Sequence, residues 1–132
     1  MLFRSIETDV RRIVLIIETN SDRDSNALET VRTIYSGKPK DFITAVDEKC
    51  VILVKEVAEN DSYEELCKSA KALKDMLTAE NMPDVRIALG TIVSEIKDVS
   101  RSYKEAKMAL DVGKIFYNER SVVAYSTWES GV

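Results

Sequence analysis

Residues 85–125 constrain the fold of this chain more than any other stretch. Val85, Ile87 and Leu89 alternate with Arg86, Ala88 and Gly90, the period-two pattern of a strand that is half-buried or central in a sheet. The run SYKEAKMALDVG that follows changes period. Ile96, Val99, Tyr103, Ala106, Leu110, Gly113 and Tyr117 recur at steps of three and four, which sets them on one stripe of a helix starting near residues 94–97. The stripe narrows in the middle: Ala106, Ala109 and Gly113 leave little side chain between the helix backbone and whatever it covers. The helix is therefore expected to lie close against a sheet built partly from residues 85–90. Tyr103 falls on the buried stripe, so its hydroxyl is expected to need a hydrogen-bond partner. Residues 122–125 then read as a last strand.

The rest of the chain supplies the elements that such a helix could cover. Residues 12–18 are β-branched, are bounded by the polar cluster TNSDRDSN, and read as a buried first strand after a lead-in over residues 1–10. Ala27, Leu28, Val31, Ile34 and Tyr35 trace a short helix, with Asp24 or Ser25 as its N-cap and Gly37 just past its end. Residues 42–46 and 50–54 are β-rich runs separated by Asp47, Glu48 and Lys49, the spacing of an antiparallel hairpin with a three-residue loop. Ser62 and Glu65 form a capping-box pair ahead of Tyr63, Leu66, Cys67, Ala70, Leu73 and Leu77. An amphipathic helix should run from there to about Glu80, ended by Asn81-Met82-Pro83, with Lys68, Lys71, Lys74 and Asp75 on its solvated face. The order β-α-β-β-α-β-α-β contains the split β-α-β of ferredoxin-like folds, extended by one helix and one strand. It predicts an α+β domain with its helices packed on one face of a mostly antiparallel sheet.

The strand ending in Gly90 followed by Ser102, Tyr103, Glu105, Ala106, Ala109, Leu110 and Gly113 resembles the degenerate GGDEF-like domain of PucR/CdaR-type bacterial transcription regulators, the purine-catabolism and sugar-diacid regulator family. The specific part of the resemblance covers residues 85–123, and element order extends it over residues 11–128. It implies a palm-like fold of the nucleotide-cyclase kind and a single GGDEF-like regulatory domain over residues 1–132. It also implies that the family's DNA-binding helix-turn-helix is absent from this chain. Its partners would be the other domains of the parent regulator and a second copy in a homodimer, with a small-molecule effector acting on the whole.

Composition bounds the chemistry. The 132 residues suffice for one core; 19 Lys and Arg stand against 23 Asp and Glu, a formal charge of −4. No positive field collects phosphates, so direct nucleic-acid binding by this chain is not expected. The apolar run 13–17 is far too short to span a bilayer, and a cytoplasmic protein is expected. Without a single His, neither a Ser-His-Asp nor a Cys-His arrangement exists. Cys50 and Cys67 lack Cys-x-x-Cys spacing and read as reduced core thiols.

The cyclase-like order nonetheless requires a test where such chemistry would sit. Diguanylate cyclases hold metal with an acidic residue at the end of the first strand and with the acidic pair of a Gly-Gly-Asp-Glu-Phe turn. Carboxylates hold Mg²⁺ there, and glycines let backbone approach the nucleotide. Glu18 ends the first strand here, and Asp47-Glu48 stand in the hairpin. Aligning residues 51–54 with the strand after that turn puts Asp47 and Glu48 at the glycine positions, and Lys49 and Cys50 at the acidic ones. A cation and a thiol cannot replace metal carboxylates. The expectation is therefore no enzyme activity, no metal and no cofactor, and a non-catalytic relay or self-association module. The alternatives are a divergent cyclase or nucleotide-binding domain using Glu18 and the hairpin acids, and a stand-alone ferredoxin-like module binding a ligand or a protein.

Overall fold

The computed structural model describes residues 10–19, 27–35, 41–47, 49–58, 61–79, 85–116 and 122–124. Their elements are β1 (Arg11–Glu18), α1 (Ala27–Ile34), β2 (Phe42–Asp47), β3 (Cys50–Val57), α2 (Tyr63–Ala79), β4 (Arg86–Leu89), a 3₁₀ turn (Ile96–Asp98), α3 (Val99–Phe116) and β5 (Val122–Ala124). The strands lie side by side in the order β2-β3-β1-β4-β5. The first four neighbours pair antiparallel, and β5 adds parallel to β4. This is the α+β, ferredoxin-like or cyclase-like arrangement that the element order predicts.

β1 explains the layering. Ile13, Val14, Leu15, Ile16 and Ile17 are each no more than 3% exposed, so both faces of this central strand are covered. Ile13, Leu15 and Ile17 join Val51, Leu53, Ile87 and Leu89 in a core roofed by Val31 of α1 and by Leu66, Ala70, Leu73 and Leu77 of α2. Val14 and Ile16 join Ala88 on the other face, under Ala106, Ala109 and Leu110 of α3. The expectation that all helices share one face is thus corrected: α1 and α2 cover one side, α3 the other. An unbroken apolar run is what a strand covered on both sides needs, whereas one solvated face would have shown alternation.

Local sequence sets the element ends. The Glu65 N–H donates to Ser62 Oγ at 3.2 Å, the N-terminal bond of the capping pair that starts α2. In the hairpin, Phe42 pairs with Val54 and Ala45 with Val51, but Asp47 pairs with Cys50. One extra residue therefore sits in β2 at Val46, and Asp47 belongs to the strand rather than to a three-residue loop. Ile96 is also corrected. It is 54% exposed, because the tighter winding of the 3₁₀ turn carries it off the stripe that α3 buries. Asp24, Ser25, Gly37, Glu48, Glu80, Asn81, Met82, Pro83, Tyr117 and Tyr125 lie outside the described residues.

The small residues of α3 are core. Ala106 and Ala109 are fully buried against Val14, Ile16 and Ala88. Ala106→Leu should then cost ~1–3 kcal/mol by forcing methylenes into filled space, while Lys107→Leu, on the exposed side of the same helix, should stay within about 0.5 kcal/mol of wild type. Chemical denaturation of the monomer checks this, and equal midpoints for Ala106→Leu and wild type would remove Ala106 from the core.

Candidate functional site

The residues singled out around Gly90 and Ser102 meet at a break in the sheet. Leu15 pairs with Leu89, yet three residues back along β1 Arg12 pairs with Val93, four residues on. The strand leaving β4 therefore carries one extra residue, a bulge over residues 90–92. The Gly90 N–H still donates to the Val14 carbonyl at 2.9 Å, and beyond the bulge Arg12 and Val93 exchange both backbone bonds at 2.8 Å.

Between those points the ladder is completed by side chains from both helix layers. The Gly90 carbonyl accepts the Tyr63 hydroxyl, from the first residue of α2, at 2.5 Å. The Val14 N–H donates instead to Ser102 Oγ of α3 at 3.1 Å, and that hydroxyl donates to the Thr91 carbonyl at 2.7 Å. Thr91 Oγ1 in turn donates to Glu105 Oε1, one turn further along α3. Ser102 is fully buried, and a buried hydroxyl needs both roles filled. Space is the second constraint. A Cβ on Gly90 would stand 2.1 Å from the Ser102 carbonyl oxygen, 2.6 Å from its Oγ and 2.8 Å from its carbonyl carbon. Gly90 is required by the close approach of α3.

The remaining motif residues continue this docking. Ala106, Ala109 and Leu110 are buried under α3, Gly113 extends the helix, and Tyr103 is half-buried with Val99 against the same cluster. Asp41 Oδ2 is the sole buried side-chain polar atom without a partner among the described residues, so the Tyr103 hydroxyl is not a buried orphan. Thr91 and the Tyr63 hydroxyl escaped sequence reasoning. Tyr63 was legible only as an apolar member of the α2 stripe, and a threonine just after a strand-ending glycine was the one available signal for Thr91.

The positions that matter for nucleotide chemistry lie at the other end of β1. Glu18 stands in register between Cys50 of β3 and Arg86 of β4, and the Thr19 N–H donates to the Lys49 carbonyl at 2.9 Å. Lys49, in the turn, is exposed, while Cys50 opens β3 half-buried on the α3 face. Lys107 hydrogen-bonds Asp111 at 3.3 Å. That bond chiefly, with the charges of Asp111 and Glu18, holds the Lys107 ammonium above the ordinary lysine range. Glu18 thus lies in the field of a lysine cation. No three His, Cys, Asp or Glu side chains are grouped so as to hold a metal ion among the described residues.

Neither Cys50 nor Cys67 is in a disulfide. Burial raises the Cys67 thiol above its ordinary value, against the lowering charge of Lys71, the direction of a packed thiol rather than a nucleophile. Lys68, Lys71 and Asp75 are exposed on α2, with Lys74 half-buried. No helix among the described residues is long and apolar enough to cross a membrane.

A family model described as a GGDEF-like domain matches residues 4–112. The comparisons with curated proteins and with solved structures gave no significant match.

Proposed function

This chain belongs to the GGDEF-like domain family, and from that premise we propose that it is a non-catalytic regulatory module of a bacterial transcription regulator of the PucR/CdaR kind. In this reading it relays an effector signal between neighbouring domains, or mediates self-association, in the cytoplasm. The observation that carries it is the hairpin. Cys50 begins β3 directly opposite Glu18, and Lys49 fills the turn before it, so a thiol and a cation occupy the places where the acidic pair of a cyclase turn would bind metal. No glycine stands between β2 and β3, which removes the close backbone approach to a nucleotide. DNA contacts are left to another part of the regulator, in keeping with a formal charge of −4.

Self-association has a surface to draw on. β2 is an edge of the described sheet, and its Phe42 and Val46 are 62% and 59% exposed, where an edge strand of a monomer is usually blunted by charge.

Incubating the chain with GTP or ATP and Mg²⁺ or Mn²⁺ should yield no cyclic or dinucleotide product. Product that disappears with Glu18→Ala would overturn the non-catalytic reading and make the chain a divergent cyclase.

A further inference from the structure

The bulge at residues 90–92 is held from both sides of the sheet. Tyr63 reaches the Gly90 carbonyl from α2, and Ser102 and Glu105 reach the Thr91 carbonyl and hydroxyl from α3. The α2 and α3 layers otherwise belong to separate clusters, divided by the sheet. We propose that Gly90-Thr91 is a mechanical clasp: a displacement imposed on the start of α2 is passed through this dipeptide to the first two turns of α3, on the opposite face.

Three features make these residues able to carry such a displacement. Neighbouring ladder positions are locked by backbone pairs, Leu15 with Leu89 on one side and Arg12 with Val93 on the other. The bulge between them has exchanged a regular strand bond for side-chain bonds, and side chains can yield without breaking the sheet. Close packing removes the slack. With the Gly90 Cα pressed against Ser102, movement of Gly90 toward or away from Tyr63 must move Ser102 or open a gap beneath it. A contiguous chain of hydrogen bonds and packed atoms of this kind is a physical route for coupling, and the coupling must act equally in both directions.

The inference rests on the relay reading for its use to the parent protein, but its test needs only this chain. Backbone amide resonances are compared for wild type, Tyr63→Phe and a control, Cys67→Ala, which alters the same helix without touching the bulge. Tyr63→Phe should shift the amides of Ser102 and Glu105 more than those of Ala109 and Leu110, and Cys67→Ala should leave all four near their wild-type positions. Reciprocally, Glu105→Ala should move the Tyr63 ring signals. This second variant also serves if Tyr63→Phe does not fold. Shifts confined to α2 and Gly90, equal shifts from Cys67→Ala, or Tyr63 signals indifferent to Glu105→Ala would each overturn the clasp. None of those outcomes bears on the relay reading, which falls instead on a cyclic or dinucleotide product.

Discussion

Gly90→Ala should destabilise the protein by about 3 kcal/mol or more. Overpacking in a filled interior typically costs ~1–3 kcal/mol, and here the usual relief is missing. Of the three atoms nearest the new Cβ, two are the carbonyl oxygen and carbon of Ser102, at 2.1 and 2.8 Å, which are helix backbone and cannot swing to another rotamer, and the third, Ser102 Oγ at 2.6 Å, is tied by its hydrogen bonds to Val14 and Thr91. Relief requires α3 to lift as a body. That would separate Ala106 and Ala109 from Val14, Ile16 and Ala88 and stretch the bonds of Ser102 to β1 and to Thr91. With a urea m-value of about 2 kcal/mol/M, the denaturation midpoint should fall by about 1.5 M. A midpoint unchanged within about 0.2 M would show that α3 does not approach β4 as closely as described.

Ser102→Ala should cost about 2–3 kcal/mol, through chemistry rather than volume. The hydroxyl is fully buried, accepts from the Val14 N–H and donates to the Thr91 carbonyl. Its removal leaves the buried Val14 N–H without its acceptor, and a buried unpaired donor costs about 1–3 kcal/mol. Alanine is the better helix former by a few tenths of a kcal/mol, which works against the expected loss. Ser100→Ala, exposed near the start of the same helix, should therefore be neutral or slightly stabilising. Equal midpoints for the two variants in urea would mean that Val14 finds another acceptor and that the Ser102 bridge is dispensable.

Much of this structure was legible in the sequence because single residues carry the decisive patterns. The change from period two to steps of three and four after Gly90 places β4 and α3, and the Ser62-Glu65 pair marks the start of α2 within one residue. The side of the sheet on which α3 lies was present too, in the unbroken Ile13–Ile17 run. It is hidden because buried strands and one-sided strands differ in only two or three residues. Register irregularities were not legible at all. The extra residue at Val46 and the one after Leu89 depend on which backbone groups find partners across the sheet, and no local propensity records that. The same limit applies to the candidate site. Gly90, Ser102 and Glu105 stood out as a pattern, yet their meeting point at Thr91 and Tyr63 exists only after β4 has paired with β1.

β1 also sets a timing problem for the nascent chain. Among the described strands it carries the longest run of buried residues and is the first synthesised, and its two hydrogen-bonding neighbours are β3, after residue 49, and β4, which begins at Arg86. At about 5–20 residues per second on the ribosome, several seconds separate the appearance of Glu18 from that of Arg86. Throughout that interval the future centre of the sheet lacks its β4 edge, and it waits longer still for α3. The hairpin of β2 and β3 can shield one side early, since it is local and forms in microseconds once its residues emerge. The strand that ends most deeply enclosed is thus the one that spends longest as an adhesive segment, and the yield of folded protein in the cell should respond to translation speed between residues 58 and 90.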